Sequence, residues 1–326
     1  MEFDIQPEDL RITVDPIYRP VLYKFVLDAE RSFWSALEID YSSGYSDYCK
    51  LTAGKQRLTK YMLVFFASGD QIVGSNAGSR LCEEVPFPES KLFYTYQAMI
   101  ESTHARVYSS LLVSIIPDEV ERKSLIDAVS NWASVSALID YIKVTANMEE
   151  RLSLRLFRMI CVEGVMFQAP FLWIYWMQSL GELKSLTQAN GLIAPDEWQH
   201  VCHGIEVYKL IRDNRKLTIS EVKYECEYVV NLCEKYVADA LPANLPGMNA
   251  DDTMIHIKSV LDSILELMGY DKIYGVVTPY DFMLQLGLIK RADFFEVKPT
   301  TYSQQMPLSG EIDTEKNKHL TFISDW

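Results

Sequence analysis

From Phe157 to Met177 the sequence is apolar on nearly every side of a helical wheel. Met159, Ile160, Val165, Met166, Phe167, Phe171, Leu172, Trp173 and Ile174 leave little polar surface for solvent. A helix with that pattern belongs inside a bundle of other helices. The rest of the chain supplies them: helical periodicity runs over 52–72, 89–116, 118–145, 194–214, 219–239 and 252–268, and the apolar segment itself extends over 148–179. Several of these exceed the usual helix length of globular proteins, and alternating strand patterns are nearly absent. Breakers such as Val85-Pro-Phe-Pro and Asn244-Leu-Pro-Gly-Met separate them. An all-α protein follows, and 326 residues at 48% apolar content suffice for one extensive core.

Charge narrows the partners. The formal net charge of −14 argues against nucleic acid or an anionic membrane surface, both of which attract basic patches. The acidic, mixed start MEFDIQPEDLRI is unlike a signal peptide, and the apolar stretch from Ala169 to Met177 is too short to span a bilayer, so a cytoplasmic location is expected. Six scattered cysteines without a C-x-x-C pair read as reduced, packed thiols. After about Lys298 the chain turns polar, with an apolar patch only at Leu320, Phe322, Ile323 and Trp326. That composition cannot order itself. The expected organisation is a helical domain over 1–298 and a flexible tail over 299–326, either a frayed end or a docking peptide that orders on a partner.

Inside the helical domain two segments share one spacing, Glu101-Ser-Thr-His104 and Glu197-Trp-Gln-His200. Residues three apart on a helix lie on one face, so each pair can turn a carboxylate and an imidazole toward one metal ion. The chain has only five histidines, and two of them stand in this spacing. Asp70 and Glu163 are further acids in apolar surroundings. A buried, unpaired carboxylate costs several kcal/mol. A hydrogen bond, a proton or an arginine could neutralise any one of them, but two divalent cations would neutralise all four acids at once. One carboxylate from each of two helices plus Glu-x-x-His from two more is the ferritin-like di-metal arrangement. Its oxygen and imidazole donors suit iron or manganese. Tyr108 follows His104 by four residues, on the same face and about 6 Å along the axis. Phe167 and Phe171 follow Glu163 at four and eight, and Ile193 precedes Glu197 by four. Together they would form a dry apolar jacket around Tyr108.

At these residues the sequence resembles the small (beta) subunit of class I ribonucleotide reductases. The resemblance rests on ordered blocks covering almost the whole chain: SFWSALEID at 32–40, FFASGDQIV at 65–73, FYTYQAMIESTHARVYS at 93–109, VEGVMFQAPF at 162–171, LTQANGLIAPDEWQH at 186–200, TPYDFM at 278–283 and ADFFEV at 292–297. It implies a ferritin-like bundle and a di-iron site held by Asp70, Glu101, His104, Glu163, Glu197 and His200. It further implies Tyr108 as a radical tyrosine, generated with dioxygen, in a pocket of Phe167, Phe171 and Ile193. Trp34, Asp196 and His104 resemble the family's electron relay, and Tyr302, with Glu296 nearby, the tail tyrosine that passes the radical onward. The end at Phe322–Trp326 resembles the peptide that docks on the large subunit, where ribonucleotides are reduced, and a homodimer is implied. No phosphate-binding loop or cysteine pair is present, as suits half an enzyme.

Two readings compete: a ferritin-like oxidase that exports no radical, and a non-catalytic scaffold paralogue. Removal of 300–326 would abolish reductase activity but spare an oxidase, and a scaffold would be expected to lack ligands or Tyr108. Two prolines depart from the family pattern. Pro195 stands where the family has arginine. It is tolerable if the helix starts near Ala194, and a source of a kink or π-bulge beside Glu197 if it lies mid-helix. Pro170 replaces a small residue beside Phe171 and is expected to bend that helix.

Overall fold

The computed structural model describes residues 2–76, 80–128, 132–145, 149–241 and 245–285. The expected boundary at 298 and the tail, with Glu296, Tyr302 and Phe322–Trp326, lie outside them. The described residues form helices and no strand, apart from two isolated bridges, Phe3 with Ile211 and Leu245 with Met248.

Ten helices carry the architecture: α1 (Pro20–Ser32), α2 (Ala53–Asn76), α3 (Pro88–Ile115), α4 (Glu119–Ala128), α5 (Ala133–Thr145), α6 (Leu152–Cys161), α7 (Gln168–Ser179), α8 (Lys184–Lys209), α9 (Ile219–Ala240) and α10 (Ala250–Met268). Their ends follow local chemistry. Pro20 and Pro88 open α1 and α3, where a missing N–H costs nothing. Thr218 caps α9 in a reciprocal box with Glu221. Gly269, at φ 88°, closes α10 while Tyr270 N–H reaches back to the Leu265 carbonyl.

Helices α2 and α3 pack along each other, α1 lies on α3 and α8, and α8 in turn contacts α3, α6 and α7. The apolar run is the centre of the bundle. From Leu152 to Ser179 it is long and apolar enough to cross a bilayer, a property the shorter 169–177 window concealed, yet 89% of its most apolar window is buried by the rest of the chain. Burying each large apolar side chain there contributes about 1.5–3 kcal/mol.

Three expectations about helix limits change. Within 118–145 the described residues form two helices, α4 and α5, with Trp132 in neither; 129–131 lie outside the described residues. Helix α8 starts at Lys184, ten residues before Ala194, after a turn in which Gly181 and Leu183 take φ 70° and 47°. Pro195 is therefore mid-helix. The residue whose carbonyl it leaves unbonded, Gly191, is exposed, so water can satisfy that oxygen, and α8 continues as an α-helix past Glu197. The π-helical turn lies instead at Val162–Met166, around Glu163, with Phe167 N–H bonding the Val162 carbonyl five residues back at 3.3 Å. Pro170 sits in the first turn of the α-helix that resumes after it, where a lost donor costs least.

Candidate metal centre

Helix α3 offers Glu101, His104 and Tyr108 on one face, the π turn offers Glu163, and α8 offers Asp196, Glu197 and His200. Asp70 lies on α2, and its side chain is outside the described residues. The other five candidate ligands meet in the core, each no more than 2% exposed at the side chain. One donor atom from each of Glu101, Glu163, Glu197 and His200 falls within 4.8 Å of all the others. His104 closes the group: its Nδ1 is 3.0 Å from Glu197 Oε1 and 3.5 Å from Glu101 Oε2. His200 Nδ1 stands 3.1 Å from Glu101 Oε1, 3.5 Å from Glu197 Oε2 and 3.7 Å from Glu163 Oε2.

These approaches lack hydrogen-bond geometry. Both carboxylate oxygens of Glu101 and of Glu197, and Nδ1 of both histidines, are buried without a hydrogen-bond partner. Buried donors and acceptors are normally satisfied. Lone pairs from three carboxylates and two imidazoles aimed at one small volume fit cation coordination, and the oxygen and nitrogen set suits iron or manganese. Two neighbours orient the set. Gln97 Nε2 donates to Glu163 Oε1 at 2.9 Å. His104 Nε2 lies 3.2 Å from Asp196 Oδ2, which also accepts from Trp34 Nε1 at 2.7 Å. The Trp34 indole stacks on the His104 ring, centroids 5.7 Å apart.

Electrostatics register the crowding. Burial pushes the Glu163 carboxyl well above the usual range, and Glu197 and Glu101 add to it against the pull of His200. Burial opposes an imidazolium at His104, but Asp196, Glu101 and Glu197 outweigh it and hold this histidine well above its ordinary value. At His200 burial is likewise overcome, by Glu101, Glu197 and Glu163. Glu101, by contrast, is lowered: burial raises it, and contact with His104 and His200 more than compensates. His203, one turn beyond His200, stays out of the cluster. Burial drives its value well below normal, and its Nε2 bonds Ser90 Oγ at 3.1 Å.

Tyr108 is fully buried. The ring against its face is Phe66, 4.5 Å away and 9° from parallel. Phe167 and Phe171 pack on Phe66 at 5.5 and 5.2 Å, and Ile193 is fully buried. The sequence reading missed Phe66 and Gln97. Both were within reach of the rule that found Tyr108, since Phe66 precedes Asp70 by four residues and Gln97 precedes Glu101 by four.

A helical bundle whose interior gathers glutamates and histidines from Glu-x-x-His pairs defines the ferritin-like class of carboxylate metalloproteins. Residues 11–279 match the family model for the ribonucleotide reductase small chain. The ribonucleoside-diphosphate reductase small chain of Nicotiana tabacum is 34% identical over 299 residues, which is 92% of this chain and 90% of that one. Two solved structures share the fold. The Rnr4 ribonucleotide reductase homodimer of Saccharomyces cerevisiae has a TM-score of 0.75 at 22% identity, over 88% of this chain and 90% of that one. The dimanganese(II) NrdF of Streptococcus sanguinis has 0.74 at 16%, over 86% and 99%. The chain belongs to the ribonucleotide reductase small-chain family.

Proposed function

We propose that this protein is the radical-generating small subunit of a class I ribonucleoside-diphosphate reductase. Two metal ions would be held by Asp70, Glu101, His104, Glu163, Glu197 and His200, iron first and manganese as the alternative the same donors accept. The observation that carries the reading is the meeting of Glu101, Glu163, Glu197 and His200 donor atoms within 4.8 Å of one another, beside His104 and in a water-poor interior. When bound, the metal pair supplies the oxidising power that, with dioxygen, removes one electron from Tyr108.

The chain's own groups do the rest. Asp196 accepts the Nε2–H of His104, which fixes the tautomer and leaves the Nδ1 lone pair facing the glutamates. The same carboxylate oxygen accepts the indole N–H of Trp34, so Trp34, Asp196 and His104 make one bonded relay from the end of α1 to the cluster. Gln97 holds one oxygen of Glu163 and leaves the other for a ligand. Phe66, Phe167 and Phe171 exclude the water that would quench a phenoxyl radical.

The remaining assignments extend the same reading. Tyr302 and Glu296 pass the radical equivalent along the tail, and 299–326 docks on the large subunit, where ribonucleotide reduction takes place. The active form is a homodimer in the cytoplasm. Electron paramagnetic resonance after addition of ferrous iron and oxygen tests the proposal. A tyrosyl signal that disappears in Tyr108→Phe supports it; metal uptake with no radical in the unaltered protein overturns it.

A further inference from the structure

We propose that the cleft between α1, α3 and α8 is the entry route by which a neutral molecule of dioxygen's size reaches the carboxylate–histidine cluster, an inference that rests on the function proposed above. The cleft spans about 290 Å³ of empty space, much of it open to solvent at the mouth. Ala29 and Ser32 of α1 and Tyr96 of α3 surround the mouth, and the floor is Gln97, Asp196 and His200. The floor is thus the outer edge of the site: the amide that holds Glu163, the relay carboxylate and one candidate ligand. Solvent already touches it there. The Asp196 side chain is 10% exposed, whereas the five described ligand candidates are at 2% or less.

Two other described sides are walled. On the π-turn side a methyl group added at Gly164 would stand 2.6 Å from Ile264 Cδ1 and 3.1 Å from Val201 Cγ2, so backbone and side chains are in contact with no passage between them. On the Tyr108 side Phe66, Phe167 and Phe171 pack ring on ring. Phe33, Phe93 and Ile100 form the apolar part of the walls, and Gln199 is the polar side chain among them. A neutral molecule passes the apolar part at no desolvation cost, whereas an ion would give up hydration there before it reached the polar floor. Beside the mouth, Tyr96 OH donates to Glu30 Oε1 at 2.8 Å and ties α3 to α1.

The test plugs the mouth with Ala29→Trp and, should that variant not fold, Ser32→Trp, both in the full-length protein. Crystals of the metal-free protein pressurised with xenon are expected to bind xenon in the cleft of the unaltered chain and not in the plugged one. In ferrous-loaded protein mixed with oxygenated buffer, radical formation is expected to slow by an order of magnitude or more in the plugged variant, with anaerobic ferrous uptake unchanged. Xenon that avoids the cleft, oxidation at the original rate in a folded plugged variant, or slowed ferrous uptake with unaltered oxidation would each overturn the proposal. If even the unaltered protein forms no radical, the function falls, and the xenon position still decides whether the cleft admits a neutral gas.

Discussion

Phe66 lies flat on Tyr108, with ring centroids 4.5 Å apart and planes 9° from parallel. It also carries Phe167 and Phe171 on its other contacts, so one ring joins the tyrosine to the rest of the apolar jacket. Replacing it with leucine keeps the site apolar but opens one face of the phenol. Phe66→Leu is expected to cost about 1–2 kcal/mol, from imperfect repacking and a lost aromatic pair. Thermal denaturation measures that cost. The sharper expectation is kinetic: the tyrosyl signal forms at its usual yield and decays many times faster. An unchanged lifetime would remove Phe66 from the jacket.

Asp196 places two hydrogen bonds on one oxygen, from Trp34 at 2.7 Å and with His104 Nε2 at 3.2 Å. Asp196→Asn keeps the shape but presents either a weaker acceptor or an N–H to those two donors. Loss of a charge-assisted buried bond of this kind costs about 1.5–3 kcal/mol. If the relay runs through this carboxylate, turnover with the large subunit collapses while bound metal and the tyrosyl signal persist. Parallel loss of metal and turnover would make Asp196 an anchor for His104 alone.

Much of this was legible in the sequence because helical spacing is a strong geometric constraint. Three- and four-residue steps alone put Glu101, His104 and Tyr108 on one face of α3, and Glu197 with His200 on one face of α8. What spacing could not deliver was contact between helices. Gln97 and Phe66 sit on the right faces, but only packing shows that one reaches Glu163 and the other Tyr108. Nor could it locate the π turn. Proline is the visible helix breaker, so a mid-helix Pro195 points to a kink or π-bulge beside Glu197. Yet the freed carbonyl there falls at exposed Gly191, and the extra residue is accommodated at Glu163, where Gly164 permits close approach to Val201 and Ile264.

Protons and metal ions compete for the same atoms, which gives a pH dependence of definite sign. Glu163, His104 and His200 all have values raised above those of the unfolded chain. Their contribution to the stability of the metal-free protein is full below the unfolded values, near 4.5 for the glutamate and 6.5 for the histidines, and is lost as pH rises through the raised ones. Glu101, lowered, contributes above its unfolded value of 4.5 and loses that on acidification. Metal ligation demands the opposite of the first three, namely an ionised Glu163 and neutral imidazoles at Nδ1. Metal uptake is therefore expected to release protons into a weakly buffered solution and to weaken as pH falls. Metal-free protein should lose stability toward alkaline pH and loaded protein toward acid, as denaturant titrations across the pH range would reveal. Uptake without proton release would contradict this charge balance.

Gly164 is the tightest point of the π turn. A methyl group there would meet the end of Ile264, on α10, at 2.6 Å and Val201, on α8, at 3.1 Å. Ile264 is fully buried, so its Cδ1 has little room to retreat. Overpacking of this kind costs about 1–3 kcal/mol. Because Glu163 is the preceding residue, the same displacement should move its carboxylate off the common centre and weaken metal binding alongside stability. Ile264→Val removes the clashing carbon at a cost of about 0.5–1.5 kcal/mol by itself. In combination with Gly164→Ala it should restore much of what the alanine removes, so the two changes will be less than additive in a double-mutant cycle. Strict additivity in melting temperature and in metal affinity would mean that the turn at Glu163 is shaped by its own backbone, without pressure from α10.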